Sequence, residues 1–92
     1  MLERDLQGIF LRELDRRKIY YVKIISATTS GHADCVACCR GVFTALEFKT
    51  STGRLAPLQM YKSIRVTESG GKYYVVRPEN YKEILKKIAG KP

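Results

Sequence analysis

The sequence predicts a single α/β domain of element order αβββαβα, in which a mixed sheet is flanked by helices. Three observations carry that expectation. Apolar residues recur at helical spacing over residues 2–17. Two β-rich runs, 34–39 and 42–49, flank an Arg40-Gly41 turn. Two further helical segments, each opened by a proline, follow with a short β-run at 72–76 between them. Ninety-two residues are enough for one small core and leave no room for a second, so 1–92 is expected to fold as one unit.

Each element has its own signal. Leu2, Leu6, Ile9, Phe10 and Leu14 make one apolar stripe of an amphipathic helix, with Glu3 and Gln7 four apart on its edge. Arg16-Arg17-Lys18 close that helix, where positive charge complements the dipole. Tyr20 to Ile25 is β-branched and aromatic, a strand. The polar cluster Thr28-Thr29-Ser30-Gly31 then turns the chain into Asp34–Cys39, short and apolar enough for a buried strand. Arg40-Gly41 joins it to Val42–Lys49 as an antiparallel hairpin, and Thr50-Ser51-Thr52-Gly53-Arg54 is a polar, donor-rich loop. Pro57 suits a helical first turn that also holds Gln59; Leu58, Tyr61 and Ile64 continue at spacings of three until Gly70-Gly71. Ala56, just before, lacks the side-chain oxygen of a good N-cap, a loss of about 1 kcal/mol. Lys72–Val76 reads as a strand, and Pro78 as the start of a last helix with Tyr81, Ile84, Leu85 and Ile88 facing inward.

Composition narrows the function. With 17 Lys+Arg against 9 Asp+Glu, the net charge is +8 and the pI about 9.6, a field that attracts polyanions, nucleic acid first among them. Solubility alone also explains a basic chain, and the acidic residues decide between the two. A hydrophobic content of 45% is that of a folded domain rather than a disordered one. No apolar stretch approaches the roughly 18 residues of a membrane span, and MLERDLQ mixes both charges, unlike a signal peptide. Cys35, Cys38 and Cys39 are an odd, adjacent set with no distant partner, so they build no disulfide framework. Zinc would need about four ligands, and His32 is the sole histidine. They are read as buried strand thiols in a reducing cytosol.

The residues that carry chemistry are Asp34, Glu47 and Lys49. On a strand Glu47 and Lys49 project to one face and Phe48 to the other. If Asp34 opens one strand of the hairpin and Glu47 closes the next, both acids meet at one end of the sheet. Two carboxylates and the backbone carbonyl of Phe48 suit a hard divalent cation that retains open positions, and Lys49 suits developing negative charge at phosphorus. Glu3 is a further candidate, as ligand or water-orienting group, if its helix packs against the hairpin. The plainer interpretation is a surface Glu-x-Lys pair and a turn aspartate, but a charged pair ending the apolar Val42–Leu46 run calls for a role.

The ordered set Glu3 with Gln7, Gly31-His32-Ala33-Asp34, Glu47-Phe48-Lys49, Gly53-Arg54-Leu55 and Gln59 resembles the virus-type replication-repair nuclease (VRR-NUC) domain of the PD-(D/E)XK nucleases, over nearly the whole chain. Ala33 departs from the proline or small hydroxyl residue that such domains place before the aspartate. The resemblance implies a restriction-endonuclease-like fold and an endonuclease that hydrolyses DNA phosphodiesters with Mg²⁺, for which Mn²⁺ substitutes. Asp34 and Glu47 would be metal ligands, Lys49 the catalytic lysine and Gln59 an active-site polar residue. Members act in phage replication, recombination and DNA repair. The small stand-alone ones resemble homodimeric nucleases selective for Holliday junctions or other branched DNA, which implies a bacterial or phage-infected cytoplasm and leaves room for a helicase or replication partner acting in trans.

Phosphate contacts are expected from Thr50, Ser51 and Arg54 beside the catalytic strand, with Gln7 and the Arg16-Arg17-Lys18 cluster as further candidates, and Lys86-Lys87 as another basic pair. His32 reads as a turn residue touching phosphate or solvent, or as a general base. Tyr20/Tyr21 and Tyr73/Tyr74 are expected to split between core and surface, the outer ring of each pair being open to base stacking. The rival class is a nonenzymatic nucleic-acid-binding module that keeps the fold; an RNA nuclease or ribosome-associated binder fits the charge but gives no reason for the ordered acids.

Overall fold

A computed structural model describes residues 1–89. The chain forms α1 (Glu3–Arg16), β1 (Tyr21–Lys23), β2 (Cys35–Cys39), β3 (Val42–Phe48), α2 (Pro57–Glu68), β4 (Lys72–Val76) and α3 (Tyr81–Ala89), in the expected order. The four strands make one mixed sheet of order β1-β2-β3-β4, with β1/β2 and β2/β3 antiparallel and β3/β4 parallel.

The hairpin is closed by the tightest available turn. Cys39 pairs with Val42, so only Arg40 and Gly41 lie between the strands, at φ 55° and 82°. Two positive φ values in a two-residue loop match the right-handed twist of the strands it joins. The parallel β3/β4 pair needs a crossover, and α2 supplies it.

The core lies on one face of the sheet. Cys35, Ala37 and Cys39 of β2, Leu46 and Phe48 of β3 and Val76 of β4 pack there against Leu6, Phe10 and Leu14 of α1 and Ile84, Leu85 and Ile88 of α3. Phe10 and Phe48 meet edge to face, with centroids 5.5 Å apart and planes at 71°. The α2 helix covers the other face more thinly: it carries no buried residue. Its apolar residues at spacings of three, Leu58, Tyr61 and Ile64, are 43%, 51% and 55% exposed, so the stripe that identified the helix is not the side that docks.

Several local expectations are corrected. Cys38 is exposed while Cys35 and Cys39 are buried, because Cys35, Ala37 and Cys39 alternate onto the core face of the strand and Val36 and Cys38 onto the other. The last helix starts at Tyr81 rather than at Pro78. Asn80 explains the delay: its Oδ1 accepts the Arg77 N–H at 2.8 Å and its Nδ2 donates to the Val75 carbonyl at 3.1 Å, holding 78–80 as a turn. Among the described residues no helix is long and apolar enough to cross a membrane.

Candidate active site

The hairpin brings Asp34 and Glu47 together. Asp34 directly precedes β2, opposite the end of β3, and its Oδ2 accepts the Phe48 N–H at 2.8 Å. In extended backbone a residue's N–H and C=O leave the strand on the same side, so the Phe48 carbonyl lies on the Asp34 side as well. Phe48 itself is in the core, which sends Glu47 to the α2 face as the alternation requires.

Among the described residues Glu47 is the one charged side chain that is buried. It is 3% exposed on β3, one of the two interior strands of the sheet. Lys49 Nζ is 3.5 Å from its Oε2, and Gln59 Nε2 donates to the same oxygen at 3.0 Å. Burial, reinforced by the negative charge of Asp34, pushes the Glu47 carboxyl up to about 7, against the opposing pull of Lys49. Its other oxygen, Oε1, is buried and has no hydrogen-bond partner among the described residues.

Gln59 links the site to α2. Its Oε1 accepts the Ala56 N–H at 2.8 Å, which leaves its amide nitrogen facing Glu47. The side chain that orients Glu47 therefore also ties down the helix start, where Ala56 has no capping oxygen of its own. Lys49 is placed just past β3 by its own backbone, whose N–H donates to the Val76 carbonyl at 2.9 Å.

The donor set fits a hard cation in part. Asp34, Glu47 and the Phe48 carbonyl offer oxygen only, and a buried, unpartnered carboxylate oxygen is what a cation would relieve. Among the described residues no third acidic, histidine or cysteine side chain completes a three-ligand cluster, and Glu3 in particular does not join the pair. Glu3 is exposed on the opposite side of the sheet, in the first turn of α1, about 10 Å along the helix axis from the Phe10 that touches Phe48.

The remaining candidates divide. Thr50 and Ser51 lie beside the site but serve the loop: Thr50 Oγ1 accepts the Gly53 N–H at 3.0 Å, and Ser51 Oγ donates to Glu79. Arg54 is exposed and Gln7 half-buried. Arg16, Arg17 and Lys18 lie toward the other end of the sheet, since the Tyr20 carbonyl accepts from Cys38, about 13 Å along β2 from Asp34. Arg16 and Arg17 both bond Glu13. His32 Nδ1 lies 3.0 Å from the Ala33 carbonyl, which only accepts, so Nδ1 carries the proton. The burial of the Cys35 thiol pushes it up to about 11, with the Asp34 charge adding to the effect, unlike a metal-binding thiolate.

Two residues were not expected here. Arg77 donates to the carbonyls of Thr50 and Gly53, at 2.7 and 2.6 Å, and so shapes the loop after β3. Tyr73 shares the Glu47 face of the sheet: it pairs with Ala45, two residues from Glu47, and burial together with the charges of Glu47 and Asp34 raises its phenol to about 12. Neither signal is visible in sequence, because both depend on where the crossover sets the parallel register. Comparison of the chain with protein-family models, with curated proteins and with solved structures gave no match.

Proposed function

We propose that the chain is a divalent-metal-dependent endodeoxyribonuclease of the PD-(D/E)XK type, hydrolysing DNA phosphodiesters, with branched DNA such as a Holliday junction as its preferred substrate. The observation that carries the reading is Glu47: a carboxylate taken out of water at the end of a central strand, beside Asp34 and Lys49, with one oxygen unpartnered among the described residues. Keeping a carboxylate there costs stability, and such costs concentrate at functional sites.

The residues divide the work by chemistry. Asp34, Glu47 and the Phe48 carbonyl would hold Mg²⁺ or Mn²⁺. When bound, the ion would supply charge neutralisation at phosphorus and make a water easier to deprotonate. Asp34 is oriented by the Phe48 N–H, and Gln59 holds Glu47 by one oxygen. Lys49 Nζ, 3.5 Å from Glu47 Oε2, would meet the negative charge that grows on the phosphoryl oxygens. The net charge of +8 draws the polyanion in. One chain provides one site for one strand, so a paired cut requires two chains. Met60, Tyr61 and Ile64, each more than half exposed on the outer side of α2, offer apolar surface for a homodimer.

The test is cleavage of labelled four-way junction, flap and linear duplex DNA in Mg²⁺ or Mn²⁺, against EDTA. Glu47→Ala and Lys49→Ala are expected to fold, bind DNA and lose cleavage by at least roughly a hundredfold. DNA binding without cutting in either metal would instead favour a nonenzymatic binding module.

A further inference from the structure

Glu47 Oε1 and Tyr73 Oη are both buried, and neither has a hydrogen-bond partner among the described residues. Buried polar atoms in folded proteins are paired almost without exception, by protein or by ordered water. These two also belong together. Ala45 faces Tyr73 and Glu47 faces Val75 across the parallel β3/β4 pair, so Tyr73 is the diagonal neighbour of Glu47 on one side of the sheet. A phenol has a proton to give and a carboxylate can only accept, yet the two do not bond directly. A single water accepts from the first, donates to the second and satisfies both. The Tyr73 side of the sheet is also loosely covered: Tyr73 lines a cavity of about 200 Å³ between α2 and the sheet, with Val36, Ala45 and Val66.

We propose that Tyr73 is a positioning residue for the Glu47 carboxylate, acting through one water that accepts from Tyr73 Oη–H and donates to Glu47 Oε1. Gln59 already holds Oε2. With Tyr73 the carboxylate is fixed at both oxygens, which sets its plane toward Asp34. Each carboxylate oxygen has two lone-pair directions, so Oε1 keeps one for a cation. The catalytic consequence rests on the nuclease reading, whereas the bridge itself does not.

The experiment is Tyr73→Phe, read by thermal unfolding and by single-turnover cleavage at saturating DNA. If the bridge exists, removing the hydroxyl strands Glu47 Oε1, and Tm falls by roughly 5 °C. If the phenol is unpaired, removing it relieves a desolvation cost, and Tm stays level or rises. A level or raised Tm overturns the proposal, whatever the activity. Cleavage is expected to fall tenfold or more with DNA affinity unchanged; a lowered Tm with wild-type cleavage would overturn the positioning role. Adding Tyr73→Phe to Glu47→Leu should no longer lower Tm, because the acceptor is gone, and a repeated loss there would also overturn the bridge. If the wild type cuts no DNA, the nuclease reading falls, and the two Tm comparisons still decide the bridge.

Discussion

At Glu47 a carboxylate is held where water scarcely reaches it, and the cost of that placement depends on pH. In the unfolded chain its carboxyl titrates near 4.5, and in the folded protein near 7. Its protonated form is thus favoured by folding. The associated stability is complete below about pH 4.5 and is lost as pH rises through 7, a change of about 3 kcal/mol. For a domain whose total stability is on the order of 5–15 kcal/mol, that is a large share. In EDTA, Glu47→Gln should therefore gain stability over the wild type between pH 5 and pH 8, measured by urea unfolding at each pH. A constant difference would mean that the carboxylate is solvated. Added Mg²⁺ should restore stability at pH 8 in the wild type and not in Glu47→Gln, because the cation favours the charged form. On the proposed reading the same residue trades stability for function, and a neutral isostere is expected to give a sturdier protein with no cleavage.

Elements were legible where their boundary chemistry is local. Arg40-Gly41 marks the hairpin because only a two-residue turn with positive φ closes it, and the β2/β3 boundaries follow within a residue. From that hairpin alone the meeting of Asp34 and Glu47 could be anticipated. The docking side of α2 was not legible: spacings of three define a helix from Leu58 to Ile64 but do not say which side meets the sheet. For the same reason the bond from Gln59 to Glu47 and the placement of Tyr73 required the structure, since both are set by the crossover. Gly31 shows how strongly the loop before Asp34 depends on α2. Its φ is +78°, and an added Cβ would sit 2.6 Å from Leu58 Cγ. Gly31→Ala is expected to destabilise the fold by roughly 1–3 kcal/mol, from the left-handed backbone and the clash together. Leu58→Ala in the same chain should recover only the steric part, and full recovery in a urea titration would remove the backbone argument.

Across the whole molecule, charge and chemistry are separated. The net charge of +8 is spread over a small domain, while the buried acid sits at the carboxyl ends of the parallel β3/β4 pair. On the nuclease reading proposed above, affinity for DNA and the ability to cut it should therefore respond to different variables. Binding should weaken steeply with salt, since each phosphate contact releases counterions. Four such contacts would lower affinity by about a hundredfold or more between 50 and 200 mM salt. Glu47→Ala should leave that slope unchanged in a fluorescence-anisotropy titration. A flattened slope would mean that Glu47 shapes the binding surface rather than the chemistry.

The α2 helix contributes no buried side chain, yet its Gln59 orients the most deeply buried carboxylate of the site. The weakest-anchored helix is thus also the one on which the site depends. Such an element opens by local unfolding long before the whole domain does. Hydrogen exchange should find the amides of α2 protected far less than those of α1 and α3, and Mg²⁺ should slow exchange in α2 more than in either. The proposed site would then be assembled and dismantled by the docking of one helix, and its competent fraction would be an equilibrium that ligand and temperature both shift.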